Sequence, residues 1–269
     1  MSKLRFCLIG DGAIAKYHRK AIEHVRGIVD FTLDPIYGGN NDIETLKFDF
    51  ESYEYARLWS CDYFVIASPS HLHYPQIKYI LLNSWASSQI ICEKPAFLPW
   101  ESAIDSDRIN IVLQLRYLPD LPMKADLVKA VFVRDEKYFK SWKGDAKNTG
   151  GLFYNLFIHY IDLAIQLGAD FEGMVLNEGE QERWIGENWL PDIDTNPKKI
   201  KPGFKKITNI LKIDMQTCYN RLYEDVISGG GIKPKNIFYL NWVLKRNSEL
   251  FGYGKNGMNR LIRIGKELL

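Results

Sequence analysis

Hydrophobic positions in the first part of the chain fall into short continuous runs separated by helix-like stretches. Leu4–Ile9 is an apolar run of strand length, Ala13–Val25 has helical spacing, and Ile28–Leu33 is a second strand ending at Asp34. Further runs at Tyr63–Ala67, Gln89–Cys92 and Ile109–Leu115 predict a third, fourth and fifth strand. Strands that are apolar throughout, rather than alternating, are buried on both faces, and their interleaving with helices predicts a parallel sheet covered by helices. Between Pro95 and Ile109 there is room for a helix of only about two turns, around Pro99–Asp105. The Gly- and Asn-rich stretch Pro35–Phe50 reads as loop.

Beyond Arg116 the pattern changes. Val128–Val133 predicts a strand, and Leu152–Leu167 an amphipathic helix stopped by Gly168. Gly186–Phe204, rich in Pro, Asp and Lys, reads as loop. Two helices follow at about Met215–Ile227 and Asn236–Leu250, and the tail from Asn256 reads as a short basic amphipathic helix. The expected fold is α/β. A Rossmann, doubly wound parallel sheet spans residues 1–116, and a C-terminal α+β domain on a shortened, open mixed sheet spans residues 117–269.

The chain has 269 residues, enough for both domains, with 46% hydrophobic and 25% charged residues, the balance of a soluble globular enzyme. A net charge of +2 gives no field that would recruit nucleic acid. No apolar run has the length of a membrane span, and Met1–Lys3 leads straight into the first strand without a signal peptide, so the expected location is the cytoplasm. The four cysteines, Cys7, Cys61, Cys92 and Cys218, are widely spaced and form no CxxC pair, which reads as buried reduced thiols. With no close cluster of His, Asp and Cys, no metal site is expected.

Gly10, Gly12 and the residues Ala13, Ile14 and Ala15 match the GxGxxG/A pattern. Glycine at these places permits a tight turn and lets backbone N–H groups approach a pyrophosphate at a helix N-terminus. Such a turn alone can be merely structural, but this one ends a predicted strand and opens a predicted helix. Asp34 closes the second strand, where a carboxylate accepts hydrogen bonds from the adenosine ribose and repels a 2′-phosphate. The cofactor expected from these residues is NAD. Asp30 lies at the other end of the same strand, away from the ligand-binding edge.

Four further motifs follow in order. They are Ser68–Pro75 after the third strand, Cys92–Pro95 after the fourth, Gln114–Tyr117 closing the fifth, and Asn155, His159 and Asp162 on the later helix. This ordered set, with Glu93-Lys94-Pro95 at the domain junction, resembles the glucose–fructose oxidoreductase/inositol dehydrogenase (Gfo/Idh/MocA) family from Leu4 to about Lys245. The runs Ser68–Pro75, Ile91–Pro95 and Leu113–Arg116 are most similar to the subgroup of UDP-N-acetylglucosaminuronate 3-dehydrogenases. So are Lys140–Asp145 and Tyr223–Ile232. Some positions depart from the pattern. Ser70 stands for the usual Asn and Phe157 for a frequent Gly. The helix before Gln114 is short, and the second sheet is abbreviated between Phe171 and Lys206. A shortened sheet would favour a dimer over the tetramer that the family usually forms.

The resemblance implies NAD-dependent oxidation of a sugar hydroxyl, at C3 of a UDP-linked amino-uronic acid. That chemistry needs a base near the hydroxyl, while the nicotinamide accepts the hydride. Lys94, just past a strand's C-terminal end, is one candidate base; Glu93 would orient it or balance its charge, and Pro95 would fix the turn. His159 is the other. Asn155, His159 and Asp162 share one helix face by their i, i+4, i+7 spacing, and Asp162 would orient the imidazole. Which of Lys94 and His159 is the formal base stays open. Ser68, Pro69, His71 and His73 would approach the cofactor, with Glu93, Lys94, Gln114 and Trp142. Arg116, Tyr117 and Lys143 would bind substrate, Lys143 or Arg116 pairing with a uronate carboxylate or a diphosphate. His18 and His24 read as helix residues without special roles. A sibling sugar or cyclitol dehydrogenase, and a non-catalytic NAD-binding protein, remain the alternatives.

Overall fold

The computed structural model describes residues 3–34, 59–119, 121, 128–131, 140–151, 153–168, 203–206, 210–211 and 214–251. In chain order the elements are β1 (Arg5–Ile9), α1 (Ala15–His24), β2 (Ile28–Leu33), β3 (Tyr63–Ile66), α2 (His73–Asn83), β4 (Gln89–Glu93) and β5 (Ile109–Val112). These are followed by β6 (Val128–Val131), α3 (Ala146–Thr149), α4 (Ile158–Gln166), β7 (Gly203–Lys206), β8 (Ile210–Leu211), α5 (Met215–Ile227) and α6 (Phe238–Phe251). The expected loop at Pro35–Phe50, the tail from Asn256 and most of Gly186–Phe204 lie outside the described residues.

β1 to β5 form one parallel sheet in the order β2-β1-β3-β4-β5. The chain leaves β1 for β2 on one side and later returns to β3 on the other. The C-terminal ends of β1 and β3 therefore flank the switch point where ligands bind in such sheets. On one face, Phe6, Leu8, Val65 and Ile91 pack with Ala15, Ala21 and Ile22 of α1 and with Tyr219, Leu222, Tyr223 and Val226 of α5. On α2, Ile77 and Ile80 are fully buried. The four cysteines are buried thiols, and burial pushes those of Cys7 and Cys92 well up, away from the reactive thiolate.

The chain divides into two units: Met1–Pro119 with Met215–Phe238, and Asp120–Asp214 with Tyr239–Leu269. This corrects the expected division at 116/117, because α5 returns to the first unit. Its buried positions Cys218, Tyr219, Leu222, Tyr223 and Val226 form an apolar stripe with helical spacing, and the stripe is satisfied by α1. Sequence order alone does not show which layer a late helix joins. In the second unit the described strands make an antiparallel sheet, β6-β7-β8. Gly203–Lys206, expected to begin as loop, is β7.

Two local expectations also change. The short helix at Pro99–Asp105 does not form. Instead the Leu98 N–H donates to Glu101 Oε2 at 2.6 Å and the Glu101 N–H to Leu98 O at 2.9 Å, a side-chain-closed turn that takes the place of helical bonds. The fifth strand stops at Val112, and Gln114–Tyr117 is a 3-10 turn. No helix among the described residues is long and apolar enough to cross a membrane.

Candidate active site

The first unit gathers the nucleotide-type turn and the Glu93-Lys94-Pro95 segment at the carboxyl edge of one sheet. Gly10 has φ +88°, and its N–H donates to Leu33 O at 2.8 Å. A Cβ there would lie 2.8 Å from Ala67 C and Ser68 N, so the turn after β1 touches the backbone of the turn after β3. A Cβ on Gly12 would meet nothing within 4 Å. Gly12 and Ala13 are exposed, Ile14 is partly so, and Ala15 is buried as the first residue of α1. The turn thus offers open backbone at a helix start, the shape a pyrophosphate requires. At the end of β2 the Asp34 Oδ2 atom accepts the Asp11 N–H at 2.6 Å, which places the carboxylate beside the glycine turn.

Ser68 and Pro69 follow β3. The Ser68 hydroxyl donates to Gln76 Oε1 at 2.6 Å, and His71 lies on the 3-10 turn Ser70–Leu72. His73 is 1% exposed, with Nδ1 2.7 Å from Pro95 O and Nε2 2.8 Å from Ser68 O. Both ring nitrogens face backbone carbonyls, so His73 ties the turn after β3 to the one after β4. The two polar atoms of the ring, expected beside the cofactor, are thus engaged within the protein. Burial pushes the imidazole pKa below its usual value, against the two carbonyls, which favour the protonated ring.

Glu93, expected to partner Lys94, is turned into the core. Its carboxylate accepts a hydrogen bond from the Tyr219 hydroxyl, and His18 Nε2 lies 3.2 Å from Oε1. His18 is fully buried, and its Nδ1 is 2.8 Å from Tyr223 Oη. Nε2 facing the carboxylate and Nδ1 facing the Tyr223 hydroxyl give both ring nitrogens of His18 a partner. Burial alone would raise the Glu93 pKa. The hydrogen bond and charge of His18, the Tyr219 hydroxyl and the nearby Lys94 outweigh it and hold the value at about 2. This group is not visible along the chain, since His18 and Tyr223 are 205 positions apart. Only the helical spacing of the two tyrosines, which puts both on one face of α5, could have signalled it.

The depressed Glu93 pKa carries a pH prediction. The ordinary value is 4.5, so the stabilisation is fully present above that pH and is lost as pH falls towards about 2. The loss is on the order of 3 kcal/mol. Melting temperature measured from pH 6 down should fall through this window in wild type. In Glu93→Gln that component should be absent; an unchanged acid slope in the variant would contradict the assignment.

Lys94 follows the strand at intermediate burial, and its peptide bond to Pro95 is cis. Gln114 is 4% exposed on the 3-10 turn, with Nε2 3.9 Å from Met215 Sδ, and Arg116 is partly exposed on the same turn. The Tyr117 hydroxyl donates to Asp225 Oδ2 at 2.7 Å, and the same oxygen accepts the Gly231 N–H at 2.8 Å. Burial, reinforced by Asp225, pushes the Tyr117 pKa well up. Tyr117, expected at the substrate, is thus committed to the turn after α5.

In the second unit, Trp142 and Lys143 lie on a 3-10 turn, both exposed, with Lys143 Nζ 5.8 Å from the Trp142 ring centre. Asn155 Nδ2 donates to Lys143 O at 3.1 Å, fixing this turn to the start of the long helix. That helix opens with a π turn at Phe153–Phe157 and continues as α4, ending before Gly168 at φ +84°. The π turn is a departure from the regular helix expected, of the kind often found at functional sites. It carries Asn155, while α4 carries His159, partly exposed, and Asp162, buried.

Residues 126–187 match the C-terminal alpha/beta domain of the Gfo/Idh/MocA oxidoreductase family. Solved structures agree with the fold. One is the WlbA (WbpB) dehydrogenase from Thermus thermophilus in complex with NAD and alpha-ketoglutarate. It is 24% identical, with 90% of this chain and 94% of that one covered and a TM-score of 0.63. UDP-N-acetylglucosamine 3-dehydrogenase GnnA from Acidithiobacillus ferrooxidans is 12% identical, covering 96% and 99%, TM-score 0.56. Levoglucosan dehydrogenase in complex with NADH and levoglucosan is also 12% identical, covering 99% and 98%, TM-score 0.55. The matched segment carries Trp142, Lys143, Asn155, His159 and Asp162.

Proposed function

We propose that the protein is an NAD-dependent sugar dehydrogenase that oxidises the C3 hydroxyl of UDP-N-acetylglucosaminuronic acid to the 3-keto sugar. The observation that carries the reading is the single edge shared by the open turn Gly10–Ala15, Asp34 and Lys94, at the switch point of a parallel sheet. The UDP-N-acetylglucosamine 3-dehydrogenase GnnA, of the same fold, and the Lys140–Asp145 run support a nucleotide sugar as substrate. The product would enter surface-polysaccharide synthesis in the cytoplasm, where UDP-sugars are made.

Bound NAD supplies the hydride acceptor. The chain supplies the rest: Gly12–Ala15 N–H groups face the pyrophosphate, Asp34 holds the adenosine ribose, and Ser68, Pro69 and His71 border the same edge. Lys94 and His159 handle the hydroxyl proton, with Asn155, Asp162, Arg116 and Lys143 as substrate groups. Gln114 and Trp142 flank the cofactor, and His73, Glu93 and Tyr117 act by holding the turns in place.

The test is NADH formation when the protein is mixed with NAD and UDP-N-acetylglucosaminuronate, against UDP-N-acetylglucosamine and a free cyclitol as controls. Turnover only with a control sugar would move the assignment to a sibling dehydrogenase. Dinucleotide binding without any turnover would leave a non-catalytic NAD-binding protein. Asp34 further predicts a preference for NADH over NADPH in fluorescence titrations, which Asp34→Ala should narrow. Tighter NADPH binding by wild type would remove Asp34 from this role.

A further inference from the structure

The dinucleotide reading leaves two residues at the adenosine end without a task. Arg19, on the second turn of α1, places Nε 3.0 Å from Asp11 Oδ1 and Nη2 3.0 Å from Asp11 Oδ2, and Nη2 also donates to Thr32 Oγ1 at 3.1 Å. The Asp11 backbone N–H donates to Asp34. Asp11, Arg19, Thr32 and Asp34 therefore form one bonded chain. It runs from α1 across the glycine turn to the end of β2, where the adenosine ribose sits in folds of this type. The Arg19 side chain is 37% exposed, and among the described residues its Nη1 makes no hydrogen bond.

We infer that Asp11 is a second determinant of cofactor choice, pairing Arg19 and so withholding from the ribose edge the cation that would accept a 2′-phosphate. The inference rests on the reading that Gly10–Ala15 and Asp34 hold NAD. A guanidinium fork is the side chain best matched to phosphate oxygens, and a bidentate carboxylate occupies the same fork. With both acids present, the two carboxylates and one guanidinium leave a net negative charge, which repels a 2′-phosphate. Removing Asp34 alone leaves Arg19 clamped by Asp11. Removing both charges leaves a partly exposed guanidinium next to the ribose, held by Thr32 alone. The two substitutions should therefore couple rather than add.

The test is fluorescence titration of NADH and NADPH against wild type, Asp11→Asn, Asp34→Ala, the double variant, and the double variant with Arg19→Ala. Asp11→Ser serves as a second form should Asp11→Asn fail to fold. The double variant should bind NADPH about tenfold or more tighter than the two single effects combined would give, the gain expected of one charge-assisted pair. Arg19→Ala in that background should abolish the gain, and added salt should weaken it. A double variant that matches the combined single effects, or a gain that survives loss of Arg19, would overturn the inference while leaving the NAD site standing. Failure of wild type to bind either dinucleotide would overturn both.

Discussion

Lys94→Met and His159→Ala should each lower the rate of NADH formation by roughly 10²–10⁴-fold, the usual cost of losing a positioned acid–base group. NADH affinity should stay nearly unchanged. The adenosine and pyrophosphate contacts proposed for Gly12–Ala15 and Asp34 belong to the β1–α1 turn and the end of β2, whereas Lys94 follows β4. His159 lies on α4 of the second unit. The double variant should lose less than the product of the single losses, since both groups would act on one proton. Rates are best read in a single turnover, because slow release of NADH could mask the chemical step. A wild-type-like rate in both variants would remove these residues from the mechanism. A conservative Lys94→Arg would keep the charge while losing a readily titrating amine, so its rate should stay low.

Gly10→Ala should damage the fold itself. The residue has φ +88°, where a side chain costs about 1–2 kcal/mol, and its Cβ would press to 2.8–2.9 Å on backbone atoms of Ala67 and Ser68. Backbone in the sheet's switch region cannot rotate away as a side chain would, so overpacking adds about 1–3 kcal/mol. Against the marginal stability of a domain, the sum lowers the melting temperature by roughly 10 °C and disrupts NADH binding. Gly12→Ala is the contrasting case. Its Cβ meets nothing, so melting should hardly move, while NADH affinity falls because the methyl occupies the approach to the turn. Equal melting of both variants with wild type would contradict the close approach of the turns after β1 and β3.

The parallel sheet was legible because its strands are apolar on both faces: Leu4–Ile9, Tyr63–Ala67 and Gln89–Cys92 have no other compact solution. The glycine turn and Asp34 were legible because their chemistry is local to one β-turn-α-β passage. What escaped depends on distant pairing. His18 read as an ordinary helix residue, yet it lies between Tyr223 and Glu93 with no exposure. Glu93 read as the partner of its neighbour Lys94, but its carboxylate was claimed by α5. His73 and Tyr117 sit within family-like motifs and so read as ligand groups, while in the fold their polar atoms are spent on Ser68, Pro95 and Asp225. A motif fixes where a side chain starts along the chain. The atoms that satisfy it come from whichever late element packs there, and here that element is α5.

The most direct test follows the transferred hydrogen. UDP-N-acetylglucosaminuronate deuterated at C3 is incubated with NAD and the protein, and the reduced cofactor is analysed by mass spectrometry. The account predicts that the deuterium, transferred as hydride, appears in the NADH and that the sugar product is a ketone at C3. Unlabelled NADH, or no reduced cofactor from a protein that binds NAD, would contradict it.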